Sequence, residues 1–266
     1  MSTIVRTIRY FTLSPLEYLF LMLLNTYGVL KSFLVEGHHG KRLLFHKIAL
    51  QVYFTAVQAM SIIIITGVII GTAVLVELAI ILPRFGAEAH INRLFVIVVV
   101  RELIPIMTAL IVIGRSGTAL ATELGNMKLN REIELFDSMG INTDYFMVLP
   151  RLIGVIISIM CLTIIFNVSS LVGGFLFAGI FKPAAVGMVF KELVLTVDYR
   201  DVIISMLKAF CFGWVIAIVN CTQGFSVKKS FTEIPQVTTA GVVNSIVFCF
   251  VINIFVSLYV YSSFNI

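Results

Sequence analysis

Four polar residues stand inside stretches that are otherwise apolar: Arg101 and Glu102 side by side, Lys208, and Asn253. A charge at the centre of a hydrocarbon layer costs about 2.5–3.5 kcal/mol on insertion scales, less near its edge. Such residues therefore pair with one another or face a polar cavity. Neighbours in sequence point about 100° apart on a helix, so Arg101 and Glu102 do not share one surrounding. Two readings stay open. The pair is a structural ion pair or a set of snorkelled charges near an interface, or it lines a polar patch in a cavity that meets charged headgroups. Lys208 supports the second reading, because it enters its own apolar stretch at a depth that lets it share a layer with Arg101 and Glu102. Asn253 is a further candidate for that layer.

A second group lies between Asn130 and Gly140. Asn130 is a helix N-cap residue type and Gly140 suits the left-handed position after a helix end. Between them Ile133, Phe136 and Met139 recur at three-residue spacing and predict an apolar ridge. Arg131, Glu132, Glu134 and Asp137 occupy most of the other side. A helix lying on a bilayer is one reading. The acidic side chains speak against it, since lipid-surface helices favour Lys and Arg. The other reading is a helix that sets its ridge into a groove on a partner protein.

The run Gly114-Arg115-Ser116-Gly117-Thr118-Ala119 offers small residues for close helix packing, with Gly117 and Ala121 four apart and Gly173-Gly174 in a later stretch. Arg115 is expected to pair with Glu123 or to cap backbone carbonyls. Catalysis finds no support: no Ser-His-Asp arrangement, glycosidase carboxylate pair or metal-ligand spacing stands out, and no Walker A motif occurs. Cys161, Cys211, Cys221 and Cys249 lie in apolar surroundings without C-x-x-C spacing and read as buried hydrophobes. His38-His39 has no acidic or cysteine partner at metal spacing.

The elements that hold these groups follow from composition. Of 266 residues 59% are hydrophobic and 12% charged, with mean hydropathy +1.06. A soluble domain has about 25% charged residues. Long apolar blocks with so few charges predict an all-α integral membrane protein. Five spans are expected: Val52 to Leu82, Leu94 to Ala121, Tyr145 to Ile180, Asp201 to Cys221, and Val237 to Tyr261. The earlier apolar run Leu16 to Leu34 is interrupted by Glu17, Asn25 and Lys31. An interfacial helix is favoured for it over a span or a signal peptide. This divides the chain into an N-terminal interfacial region, 1–47, and a five-helix membrane domain, 48–266. With the N-terminus inside, twelve of the nineteen Lys and Arg fall on the inner side, which places residues 130–140 in the cytoplasm and the C-terminus outside. The net charge of +5 fits loops facing anionic lipid rather than nucleic acid.

Several separated blocks resemble the MlaE (YrbE) family of permeases. They are Arg101-Glu102-Leu103-Ile104-Pro105, Gly114-Arg115-Ser116-Gly117, Glu123-Leu124-Gly125-Asn126-Met127, Ser138-Met139-Gly140 and Pro150-Arg151. Val197-Asp198-Tyr199-Arg200, Lys208, Gly224 and Val237 to Val243 come after them in order. The resemblance implies the membrane subunit of an ABC transporter in a bacterial inner membrane, working as a homodimer with an MCE-domain protein outside. It implies a coupling helix at about Asn130–Met139 docked on a separate ATPase, with ATP and Mg in that partner and no cofactor in this chain. Phospholipid is the implied cargo, and Arg101, Glu102 and Lys208 the cavity residues. The chain departs from the family pattern at Asn142-Thr143, where Asp-Pro is common, and at Asn253, where an acidic residue is common. A stand-alone secondary transporter, which would need ion-coupling carboxylates at mid-membrane, and a bare anchor for an MCE protein are the rival readings.

Overall fold

The structure, a computed structural model, describes residues 41–87, 90–140, 143–181, 195–228 and 230–264, together with Thr26 and Gly28. The expected interfacial helix at 16–34, the His38-His39 pair, Asn142 and most of the segment between the third and fourth spans lie outside the described residues. Among the described residues every regular element is helical. Five helical stretches are long and apolar enough to cross a membrane: Arg42–Phe85, Ile91–Leu129, Tyr145–Gly174, Tyr199–Phe225 and Phe231–Ser262. Each contains the core of one expected span. The chain is a multi-pass all-α membrane protein.

The first span is not one rod. A helix over Lys41–Thr55 gives way to a 3₁₀ turn at Val57–Ala59, and a second helix runs over Met60–Ile81. At 1.5 Å per residue the Met60–Ile81 helix is about 33 Å long, enough to cross the hydrocarbon unaided.

Contacts group the chain into two compact units. One comprises Met1–Gln51, Ile113–Val155 and Trp214–Val247; the other comprises Val52–Val112, Ile156–Gly213 and Phe248–Ile266. In the second unit the first and third spans meet backbone to backbone. Ile63, Gly67, Gly71 and Leu75 form a buried ridge at four-residue spacing. A Cβ at Gly71 would overlap the Ser170 carbonyl, and one at Gly173 would overlap the Val68 carbonyl. Thr72 Oγ1 donates to Gly173 O across the seam at 3.0 Å. Gly67-x-x-x-Gly71 is thus the small-residue motif that brings these helices together.

In the first unit, packing centres on Asn220, which is fully buried. Its Nδ2 donates to Ile216 O and to Ser245 Oγ at 2.8 and 3.0 Å. A Cβ at Gly117 or at Gly241 would come within 3 Å of the Asn220 amide, so both glycines make room for it. Gly114, by contrast, has no neighbour of this chain within 4 Å of its Cβ position; within the chain the run packs through Gly117.

Among the described residues three π-helical segments interrupt the α-helices: Val96–Leu103, Ile113–Gly117 and Asp144–Val148. Two of them precede a proline, Pro105 and Pro150. Proline has no N–H for the carbonyl four residues back, and its ring crowds that carbonyl. The carbonyls concerned are those of Arg101 and Phe146. Each is satisfied by a lysine from another helix: Lys208 Nζ donates to Arg101 O and Lys47 Nζ to Phe146 O, both at 3.1 Å. Buried backbone acceptors need partners, and here side chains supply what the prolines withhold.

Candidate functional site

The second unit brings Glu102, Lys208 and Asn253 together, as a polar cluster with members from the second, fourth and fifth spans. Lys208 Nζ donates to Glu102 Oε2 at 2.7 Å, to Ser257 Oγ at 2.8 Å and to Arg101 O. All three ammonium hydrogens are thereby engaged, and the side chain is 0% exposed. Glu102 Oε2 also accepts from Asn253 Nδ2 at 3.2 Å, and the Ser257 hydroxyl lies 3.1 Å from both carboxylate oxygens. Asn253 and Ser257 are four residues apart and share a helix face. Lys208 is the enclosed member; Glu102, Asn253 and Ser257 are half-buried, with the Glu102 side chain 28% exposed.

Arg101 turns elsewhere. It is 1% exposed, its Nε lies 3.6 Å from Asp201 Oδ1, and its guanidinium sits 5.3 Å from the Tyr261 ring centroid. Asp201 is also held by Arg93 Nη1 at 2.9 Å and by the Asp198 backbone N–H at 3.2 Å. An acidic residue in the first turn of the Tyr199–Phe225 helix complements the helix dipole. Arg101 is enclosed beside Asp201 and the Tyr261 ring; Asp201 is shared with Arg93, and Arg101 Nε and Nη2 have no hydrogen-bond acceptor among the described residues. Arg101 and Glu102 thus point to different partners, as their angular separation requires.

Sequence reasoning missed Ser257, Asp201, Arg93 and Tyr261. A signal existed for two of them: Asn253, Ser257 and Tyr261 recur every four residues, the spacing of a polar stripe on one helix face.

The first unit holds the segment from Asn130 to Gly140. Its helix is Glu132–Ser138. Asn130 does not cap it. Asn130 closes the preceding helix, Thr118–Leu129, with its N–H on Asn126 O at 2.9 Å. The residue before the new helix is Arg131, left-handed at φ 59° and without a side-chain cap. The turn between the two helices is too short for an extended N-cap; Glu132 and Glu134 in the first turn supply the favourable charge instead. Gly140 adopts φ 71°, the left-handed conformation its position after the helix requires, and its N–H reaches Asp137 O at 3.0 Å. Ile133 and Phe136 are half-buried. Met139 is 63% exposed and Leu135, four residues earlier, 54%; these two form the free apolar surface of the helix. Thr143 Oγ1 donates to Asp137 Oδ1 at 2.6 Å and ties the helix to the start of the third span.

Glu123 does not pair with Arg115. Its carboxylate meets Arg151 Nη2 at 2.7 Å. Arg115 lies in the π segment before Thr118, and Thr118 Oγ1 contacts the carbonyls of Gly114 and Arg115. Arg151 is the residue after Pro150, so the Lys47–Phe146 bond and the Arg151–Glu123 pair flank the same proline. No group of three His, Cys, Asp or Glu with metal-binding geometry occurs among the described residues.

The family model described as permease MlaE matches residues 48–259. A probable ABC transporter permease protein of Rickettsia typhi is 30% identical over 208 residues, covering 76% of this chain and 78% of the relative. The intermembrane phospholipid transport system permease protein MlaE of Haemophilus influenzae is 28% identical over 196 residues, 73% and 75% of the two chains. A chloroplastic Arabidopsis thaliana protein, TRIGALACTOSYLDIACYLGLYCEROL 1, is 23% identical over 210 residues, 79% of this chain and 59% of the relative.

Proposed function

This chain belongs to the MlaE permease family, and from that premise we propose that it is the membrane subunit of an ABC transporter that moves phospholipid. The observation that carries the lipid assignment is the Glu102 carboxylate. It is a part-exposed member of a polar cluster inside membrane spans, held by Lys208, Asn253 and Ser257. Intramembrane ionisable groups are costly and persist where they meet a substrate path or one another. Here Lys208 is fully enclosed and Glu102 is not, so the cluster presents polar chemistry outward as well as holding helices together. Apolar faces flanking it suit acyl chains. The relative in Haemophilus influenzae, whose name assigns it to an intermembrane phospholipid transport system, supports the same cargo.

In this proposal two copies of residues 48–266 form the permease body, each preceded by the interfacial region 1–47. The protein lies in a bacterial inner membrane with its N-terminus cytoplasmic and its C-terminus periplasmic, and an MCE-domain protein exchanges lipid with it on the outer side. A separate ATPase subunit, carrying the ATP and Mg chemistry, docks on the Glu132–Ser138 helix through Leu135 and Met139. Nucleotide-driven closure of that subunit moves the helix, and the motion reaches the lipid site along the second span.

The test is co-purification in native-membrane polymer discs, with proteins and lipids measured by mass spectrometry. The wild-type chain is expected to bring both an ATPase subunit and phospholipid. Leu135→Asp with Met139→Asp is expected to lose the ATPase while retaining the lipid. Retention of the ATPase by the double variant refutes the docking assignment. Absence of bound phospholipid from the wild type refutes the cargo.

A further inference from the structure

The hydrogen bonds of the Glu102 cluster say more than that a headgroup is met there. A carboxylate offers about four acceptor positions across its two oxygens. Oε2 is crowded, with Lys208, Asn253 and Ser257 all within 3.2 Å; Oε1 has only Ser257. The Ser257 hydroxyl has a single proton, so it serves one oxygen at a time. Among the described residues Oε1 therefore keeps unused acceptor capacity, on a side chain that is 28% exposed. The donors of the cluster are withheld. Lys208 has all three hydrogens engaged, and Arg101 is 1% exposed beneath Tyr261.

A site with an open carboxylate acceptor and enclosed donors discriminates by what the visiting headgroup can give. We infer that this permease selects phospholipids whose headgroup carries a terminal hydrogen-bond donor, a primary ammonium or a hydroxyl, and discriminates against choline, whose quaternary nitrogen has no N–H. The ammonium of ethanolamine and the hydroxyls of glycerol complete Glu102 Oε1; a choline headgroup leaves it desolvated and unpaired. Selection rests on the hydrogen bond rather than on net charge, because the carboxylate is already matched by Lys208. The inference depends on the lipid-binding reading above and narrows it.

A headgroup methylation series tests it. The complex purified with the full chain is reconstituted in nanodiscs containing equal amounts of phosphatidylethanolamine, its N-methyl and N,N-dimethyl derivatives, phosphatidylcholine and phosphatidylglycerol, with identical acyl chains. Lipids retained after re-extraction are quantified by mass spectrometry. The expected profile is a single step: the first three species and phosphatidylglycerol are retained alike, and retention falls about tenfold at the last methyl, where the final N–H disappears. A graded decline with each methyl reports steric fit instead and overturns the inference, as does equal retention of all five. If no lipid is retained at all, the lipid reading itself fails, which is a different result. Glu102→Gln is the companion variant. With its carbonyl turned to the Lys208, Asn253 and Ser257 donors, its amide N–H₂ faces the open edge, so the step is expected to vanish, the donor-bearing species falling to the retention of phosphatidylcholine. A step that survives Glu102→Gln places the selection elsewhere and overturns the assignment.

Discussion

Lys47→Met is expected to destabilise the protein, and Pro150→Ala to abolish most of that effect. The wild-type ammonium donates to Phe146 O at 3.1 Å and lies 6.0 Å from the Phe146 ring centroid. A hydrogen bond with one charged partner contributes about 1.5–3 kcal/mol. Lys47 and Phe146 are both half-buried, which argues for the lower end, and a cation at the limit of ring contact adds at most about 0.5 kcal/mol. Lys47→Met should therefore cost about 1.5–2 kcal/mol. The reason is specific: Phe146 O is the carbonyl that residue 150 would satisfy if it had an N–H. Alanine at 150 restores that donor. In the Pro150→Ala background Lys47→Met should cost only about 0.5 kcal/mol, so the coupling between the two sites is about 1 kcal/mol. The assay is a double-mutant cycle on four proteins, unfolded reversibly in mixed micelles by rising SDS fraction and followed by far-ultraviolet circular dichroism. Any loss of ring packing at buried Pro150 cancels in the cycle. Equal costs of Lys47→Met in the two backgrounds would show that the lysine is not standing in for the missing N–H.

Two further stability measurements probe other parts of the structure. Glu102→Met leaves a fully enclosed ammonium without a counter-charge and should cost about 3–5 kcal/mol. Lys208→Met leaves a part-exposed carboxylate still bonded to Asn253 and Ser257, but it also reopens Arg101 O, so it should cost at least about 2 kcal/mol. A cost below about 1 kcal/mol for either variant in the same micelle titration would contradict the burial assigned to the pair. Gly71→Ala should lower the thermal midpoint in detergent by an amount equivalent to about 1–3 kcal/mol, since its Cβ meets the Ser170 backbone. Gly114→Ala, with open space at its Cβ position, should not; a matched loss at both sites would reject the close helix approach.

What was legible in the sequence divides along a physical line. Hydropathy fixes where a helix can cross a membrane, so the five spans were readable, and the cost of burying charge marked Glu102 and Lys208 before any contact was known. Partner choice was not readable, because it depends on which helix faces which. Glu123 had Arg115 eight residues away along the chain, yet the structure gives it Arg151, twenty-eight residues away across a turn. Asn130 has the right chemistry for a cap, but backbone geometry decides capping, and a left-handed Arg131 displaces it. Gly67 and Gly71 went unnoticed in a run of isoleucines although their spacing is the standard signal for close helices.

The two prolines show how a local signal and a distant one combine. From sequence alone Pro105 and Pro150 mark a break, and each does come after a π-helical segment. A proline inside a span also orphans one named carbonyl, four residues earlier, and the orphan must find a donor in a medium without water. Arg101 O and Phe146 O each find a lysine, Lys208 and Lys47. The question that would have linked these lysines to their targets is therefore not where the charges are but which backbone acceptors the prolines leave open. Lys208 answers two demands at once, the orphaned carbonyl and the Glu102 carboxylate. That double engagement explains why a cation is enclosed so completely while its acidic partner keeps an open edge: the ammonium has no hydrogen left to offer, and the carboxylate still has room to accept one.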